Sequence, residues 1–393
     1  MKIIRTIESF YPKVHGPANQ AFMISSELEK KGIKSPVYTT NFDVERVLRK
    51  EKIKNVNVKR FLCKKRIFKY IFSPLMKKAL QKKENKKEEF NIIHGHCYRS
   101  YQSDIGLKTA HKKGKPFVLS THGTLLSYKH FVKFPWNLVF ELYDLLTFKK
   151  TAKRADAVVV NSFQEYKEAL KFGIARRKIH LIPVGIDYKQ YQTKRKFTNK
   201  KTLNLLYVGR ITRNRPLMPT LKAIKLINKN NVNKSSKKQV KLTIVGSEVR
   251  SSFSGEKGYV YELKRFVLRN GLKSFVQFIP ELRKEKLTEQ YKKADAFIYP
   301  SVYESFGQPI LEAAASGLPI ICSKVGVAAD LFKHKEQKMF ITNNPKQISK
   351  EIIKLFDSKL RRKISKKNVK IIKREFNWES IIKKYIKLYK SLI

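Results

Sequence analysis

The chain is short of cysteine, of acidic residues and of unbroken hydrophobic runs, and each shortage removes a class of protein. Three cysteines, Cys63, Cys97 and Cys322, lie far apart in 393 residues. No two have metal-ligand or redox spacing, which excludes a disulfide framework and points to a reduced, intracellular protein. No stretch of about 18 apolar residues runs without a charge, so a membrane span is not expected. The opening MKIIRTIESF is interrupted too early for a signal peptide and reads as a first strand. Acidic residues number 31 against 86 lysines and arginines, a formal net charge of +55. Such a charge attracts polyanions of any kind, but it says little about fold or chemistry. The lysines are spread singly or in pairs along the whole chain, beside many Ile and Asn, as a compositional bias would spread them. Glutamate does not rise with lysine, as it does in thermophiles. An RNP-type aromatic motif, a zinc finger and an arginine-rich recognition helix are all missing, which argues against a nucleic-acid reader.

What is present is a globular composition, 42% hydrophobic and 11% aromatic, in a chain long enough for two cores. Short apolar runs alternate with helical patterns throughout. KIIRTI, SPVYTT, NIIHGH, PFVLSTH, ADAVVVNS and KIHLIPVG read as strands in the first half. LNLLYVGR, VKLTIVGS, FVQFIP, DAFIYPS and LPIICS do so in the second. That rhythm predicts an α/β fold of two Rossmann-like parallel-sheet domains facing across a cleft. The polar, basic stretch from Asp187 to Thr202 separates them. The expected division is an N-terminal domain over 1–190, a linker over 191–202, a second domain over 203–373 and a C-terminal helix over 374–393. That helix carries Trp378, Ile381, Ile382, Tyr385 and Tyr389 on one side, and packing against the body is the expectation.

Ligands of open parallel sheets sit beyond the carboxyl ends of the strands, so the loops there matter most. In LLYVGRITRNRP a strand ends at Gly209, and Arg210 and Arg215 follow, able to hold a diphosphate by charge-assisted hydrogen bonds. In LTIVGSEV, Gly246 permits close approach of a base or ribose. The stretch YPSVYESFGQPILEAAASGLPII sets Glu304 in a loop and Glu312 about one turn into a helix opened by Pro309. Backbone N–H groups at that helix start attract phosphate or hydroxyl oxygens. In the first half STHGT ends a strand at His122, YPKVHGPANQ places Gly16 before a helix, and VVVNS ends at Asn161 and Ser162, the latter an N-cap. IHGHC puts His94 and His96 on one face of a strand, yet one strand supplying two ligands does not make a zinc site.

Taken in order, the Gly16 loop, THGT, ADAVVVNS, IPVGID, YVGRITRNR, ADAFIYPSVYESFGQPILEAAASGLPII and the NWESIIKKY tail resemble the retaining glycosyltransferases of the GT-B fold, the nucleotide-sugar-dependent group called glycosyltransferase family four. The resemblance implies that Glu304 contacts donor-sugar hydroxyls, that Glu312 binds the ribose, and that Arg210 and Arg215 neutralise the diphosphate. It places backbone groups of Phe306, Gly307, Gln308 and Ile310 around sugar and phosphates, His122 beside the donor sugar, and Gly16 against the phosphates. The donor-binding set is completed by Gly209, Gly246 and Asn161. The chain departs from the family at Arg215, where lysine is usual, at His15, which replaces a first glycine, and at Asp330, where glutamate is frequent. The implied reaction moves a hexose-type sugar from a nucleotide-sugar donor to a lipid-linked or polysaccharide acceptor, with retention and without a metal or other cofactor. No specific nucleic acid is expected as a partner.

Other readings are a polyanion-binding protein on an α/β scaffold, suggested by charge alone, and a sugar-phosphate synthase of the same fold. A glycan phosphorylase would need a lysine-bound pyridoxal cofactor, for which no motif is present. Two basic-aromatic stretches suit an anionic membrane surface as well as they suit core helices with solvated lysines. One holds Phe68, Tyr70, Ile71 and Phe72, and the other Phe131, Phe134, Trp136 and Phe140. The expected location is cytoplasmic, with a peripheral site on the cytoplasmic face of the membrane.

Overall fold

Runs rich in Val, Ile and aromatic residues form the strands, and the helical patterns between them cover both faces of each sheet. The computed structural model describes residues 1–393 apart from 13–14, 43, 45–48, 68–69, 83–88, 133, 135, 148, 231–237, 249–257 and 333–341. Two units share the chain. The first holds Met1–His130, Phe134–Val184 and, after a long excursion, Trp378–Ile393; the second is built chiefly from Gly185–Asn377.

In the first unit the strands are β1 (Ile3–Thr6), β2 (Val37–Thr40), β3 (Lys50–Ile53), β4 (Val56–Phe61), β5 (Lys65–Ile67), β6 (Tyr70–Phe72), β7 (Ile92–His96), β8 (Phe117–Ser120), β9 (Ala157–Val160) and β10 (Ile179–Leu181). Eight of them make one sheet in the order β10-β9-β8-β7-β1-β2-β4-β3, and β5 pairs with β6 alone. Every pairing in the large sheet is parallel except β3 with β4. β3, β4 and β5 escape the sequence reading because they lack an apolar run, and β6, YIF, because it is only three residues long. KEKI at the edge, for instance, is lysine-rich and largely exposed, as edge strands that resist further pairing are.

Alternate residues of one strand enter opposite cores. Phe117 and Leu119 join Ile4, Ile93 and Val158 on one face, while Val118 joins Ile3, Ile92 and Val159 on the other. The terminal helix Trp378–Lys390 closes that second face with Trp378, Ile381, Ile382, Tyr385 and Tyr389.

The second unit carries β11 (Thr202–Val208), β12 (Gln239–Val245), β13 (Val276–Ile279), β14 (Ala296–Tyr299) and β15 (Ile320–Cys322) in the order β13-β12-β11-β14-β15, all parallel. The strand order reverses at β11, which puts a topological switch point between β11 and β14. The polar stretch before β11 is no free tether. Arg195 donates to the carbonyls of Tyr291, Ala294 and Ser316 at 2.5, 2.6 and 2.5 Å and so fastens 191–202 to this unit.

Candidate functional site

In the second unit the residues singled out by the sequence gather at the carboxyl ends of β11, β12 and β14. Glu304, in the loop after β14, is buried and receives three donors on Oε1: Arg215 Nε at 2.6 Å, the Tyr299 hydroxyl at 3.0 Å and Ser301 Oγ at 3.0 Å. Its Oε2 and both terminal nitrogens of Arg215 make no hydrogen bond among the described residues. The arginine lies over the Tyr299 ring, 5.6 Å from its centroid. Burial opposes its charge, yet Tyr299 and Glu304 hold the guanidinium above its ordinary value. Arg210 is exposed just past the end of β11, and among the described residues it is held only at its carbonyl, by the Tyr207 hydroxyl at 2.8 Å.

Glu312 is half-buried, five residues into the helix Gln308–Ala315. Its Oε2 accepts from the Tyr291 hydroxyl at 2.8 Å, and the Tyr191 hydroxyl hydrogen-bonds the same carboxylate. Burial raises its pKa, while the hydroxyls of Tyr291 and Tyr191 and the charge of Lys284 pull it back. Glu304 thus presents one tethered and one open oxygen, while Glu312 is tethered by two tyrosine hydroxyls.

The helix itself starts on Gly307, in the left-handed region at φ 91°. The N–H groups of Gly307 and Gln308 find no acceptor among the described residues. Ile310, expected to offer its N–H to ligand, instead donates to the Gly307 carbonyl at 3.0 Å. The Phe306 carbonyl accepts from Val327 N–H at 2.7 Å. These two backbone groups are used by the fold. Gly246 also has a reason inside the fold: a Cβ there would lie 2.0 Å from the carbonyl oxygen of Gly209 on the neighbouring strand end.

In the first unit, Gly16 is the first residue of the helix Gly16–Glu29, with open space where a Cβ would be. His15, the departure from the family pattern, caps that helix: Nδ1 accepts from Ala18 N–H at 3.4 Å and Nε2 meets Ser9 Oγ at 2.7 Å. Asn161 is buried, its carboxamide oxygen taking a hydrogen bond from Gln20 at 3.1 Å, which gives it a structural task. Ser162 is the N-cap of Phe163–Lys171, accepting from Glu165 N–H at 3.2 Å.

His122, left-handed at φ 49°, joins a buried chain of rings. His96 Nδ1 and His122 Nε2 stand 2.8 Å apart, and the rings of His94 and His96 stack at 4.7 Å. Burial lowers the pKa of all three, that of His122 to about 3. No group of three or more metal-ligating residues occurs among the described residues. The sequence missed Arg5, Tyr191, Tyr291 and Tyr299. Their contacts join segments remote in the chain, and no local pattern marks them.

The two basic-aromatic stretches part company. Phe68 lies outside the described residues, but Ile71 is buried and the rings of Tyr70 and Phe72 pack on Tyr101. By contrast, the helix Trp136–Leu146 buries Asp144 alone, held by Arg99 at 2.6 Å and the Tyr98 hydroxyl at 2.9 Å. It leaves Leu142, Leu145 and Leu146 exposed, the last at 69%, with Phe134 at 77% just before it.

Comparison with known proteins identifies the family. The family model for Glycosyl transferases group 1 matches residues 189–373, and that for Glycosyltransferase Family 4 matches residues 14–190. The chain belongs to the group 1, family 4 glycosyltransferases. An uncharacterized glycosyltransferase of Methanocaldococcus jannaschii is 23% identical, covering 99% of this chain and 98% of the relative. A D-inositol 3-phosphate glycosyltransferase of Acidothermus cellulolyticus is 23% identical over 77% of this chain and 68% of its own length. Among solved structures, a sucrose-phosphate synthase of Thermosynechococcus elongatus shares the fold at TM-score 0.75 and 20% identity, covering 100% of this chain and 99% of that one. HepE of Anabaena, solved with UDP and glucose, matches at TM-score 0.71 and 19% identity over 100% of both chains. These glycosyltransferase architectures are GT-B, the fold of this chain.

Proposed function

We propose that this glycosyltransferase moves a hexose-type sugar from a nucleotide-sugar donor to a lipid-linked or glycan acceptor, with retention and without a metal ion. One observation carries the reading. Glu304 keeps one carboxylate oxygen without a hydrogen bond among the described residues, as do the terminal nitrogens of Arg215 and the N–H groups of Gly307 and Gln308, and the helix they open carries the tyrosine-tethered carboxylate of Glu312. A nucleoside diphosphate sugar needs that set. The Glu312 carboxylate accepts from ribose hydroxyls, Glu304 Oε2 accepts from a sugar hydroxyl, and Arg210, Arg215 and the helix-start N–H groups take the diphosphate. The HepE structure, solved with UDP and glucose, supports a donor of this chemical class.

In the reaction, the bond from the anomeric carbon to the diphosphate oxygen breaks as the acceptor oxygen bonds to the same face of that carbon. Negative charge gathers on the leaving diphosphate, and in this reading the arginines and N–H groups stabilise it in place of a divalent cation. The acceptor's proton passes to the leaving phosphate. No carboxylate acts as a covalent nucleophile in this scheme; Glu304 and Glu312 hold the donor.

The exposed leucines of Trp136–Leu146, flanked in the chain by Lys129, Lys149, Lys150 and Lys153, suit an anionic membrane that carries a lipid-linked acceptor. A thermal-shift panel of UDP, GDP, ADP and their sugar adducts, with chelator present throughout, tests the donor assignment. One nucleotide is expected to raise the melting temperature selectively, and Glu312→Ala to abolish the rise. A panel without any shift would remove the donor site.

A further inference from the structure

We propose that Arg5 sets the proton positions of the buried rings His94, His96 and His122, so that His122 is held neutral with its proton on Nδ1 and offers that N–H to a hydroxyl of the bound sugar. The second half of this statement rests on the donor-sugar reading of the proposed function, extended to His122 as the family resemblance implies; the first half stands on the hydrogen bonds alone.

Arg5 is fully buried on β1. Its partners are Ser35 Oγ at 3.1 Å, His94 Nδ1 at 2.9 Å, His96 Nε2 at 3.3 Å and the Tyr389 hydroxyl at 3.0 Å. No carboxylate pairs with it among the described residues. Burying a guanidinium among neutral groups is costly, and the arrangement it imposes is what offsets that cost. A guanidinium only donates, so His94 Nδ1 and His96 Nε2 must both present lone pairs to it.

A neutral imidazole carries one proton, and the rest of the chain follows. His94 has its proton on Nε2, 2.8 Å from Ser120 Oγ. His96 has its proton on Nδ1 and donates it to His122 Nε2 at 2.8 Å. With Nε2 accepting, His122 must carry its own proton on Nδ1, an atom with no partner among the described residues. The opposite tautomer of His122 would turn the His96 ring's N–H toward Arg5, donor against donor.

Burial keeps the rings uncharged, helped by the positive charge of Arg5 at His94 and by the neighbouring His15 ring at His122. Packing fixes the rings as well. Adjacent planes stack at 13° and 24°. Arg5 and His96 are therefore positioning residues for His122.

Long-range proton–nitrogen NMR on the full chain labelled with 15N-histidine reads the tautomer directly at neutral pH. The expected result is a protonated Nδ1 and an unprotonated Nε2 on His122. A proton on Nε2, or a charged ring, would overturn the inference whatever the activity. Arg5→Met is expected to mix the two tautomers and to lower kcat about tenfold, the equivalent of one hydrogen bond. Arg5→Lys, still a pure donor, is expected to restore both. His96→Gln gives a second route if Arg5→Met does not fold, because a carboxamide can accept from Arg5 and donate to His122, whereas His96→Leu cannot. Wild-type tautomer and rate in both Arg5→Met and His96→Leu would overturn the proposal. The predicted tautomer in a chain that neither binds nor turns over any nucleotide sugar would instead sink the donor-sugar role and leave the proton chain standing.

Discussion

Glu304 gathers three donors on a single oxygen, and that concentration is what makes it more than a surface carboxylate. Replacing it with glutamine keeps the volume but leaves Arg215 without a charged partner in a mostly buried place. Glu304→Gln is expected to cost about 1–3 kcal/mol of stability and to lower the transfer rate about 100-fold. A urea titration and an initial-rate assay on one preparation check both; a wild-type rate beside lowered stability would leave Glu304 a purely structural residue. Both glutamates were legible in the sequence because strand, loop and helix start follow one another there. Their tethers were not. Tyr291 reaches Glu312 from the end of a different helix, and Arg215 reaches Glu304 from the loop after β11. The HGH alternation was legible too, but it reads equally as a metal pair until Arg5 is seen between the two rings.

At the scale of single elements, the turn from β9 into the helix Phe163–Lys171 holds the most sharply shifted carboxyl with a defined value. Glu165 is buried, its Oε2 accepting from Asn161 N–H at 2.5 Å, and burial pushes its pKa from 4.5 up to about 8 despite that bond. Between those two values the folded chain holds a proton that the unfolded chain releases, so this group makes stability fall as pH rises. The slope is up to about 1.4 kcal/mol per pH unit, and the bound proton's contribution is gone above the folded value. The three stacked histidines act in the other sense. They stay neutral in the fold and become charged in the unfolded chain below their ordinary value of 6.5, so acid destabilises through them. Comparing Glu165→Gln with the wild type by urea unfolding at three pH values between about 5 and 8 separates the two effects. The variant is expected to lose the fall toward pH 8 and keep the acid limb; an unchanged profile would mean Glu165 ionises normally. Ser162 as N-cap was readable from position alone, since a serine just past an apolar strand and three residues before a glutamate marks a helix start. Burial of that glutamate was not, because depth depends on neighbouring strands that no local pattern names.

For the whole molecule, the alternation of apolar runs carried the α/β class and the strands nearest the site, since parallel strands buried on both faces need continuous hydrophobic sequence. Strand order and the fastening of 191–202 by Arg195 depend on pairings across long separations and were beyond it. The charge of +55 raises the remaining question, whether it acts by itself or only supports an apolar contact. The helix Trp136–Leu146 separates the two, because its exposed leucines contribute no charge. The wild type is expected to sediment with anionic phosphatidylglycerol vesicles at low salt and to be released by salt within the range where surface charges are screened. Leu142→Ser with Leu145→Ser leaves net charge and long-range attraction unchanged while removing two side chains able to enter the lipid. Each fully buried leucine contributes about 1.5–3 kcal/mol, so this variant is expected to bind vesicles at least tenfold more weakly at equal ionic strength. Equal binding of variant and wild type would assign the attraction to charge alone and remove this helix as the membrane contact. Loss of vesicle binding with the nucleotide-induced thermal shift intact would place lipid contact and donor binding on separate parts of the chain, as an enzyme that draws its acceptor from a membrane and its donor from water requires.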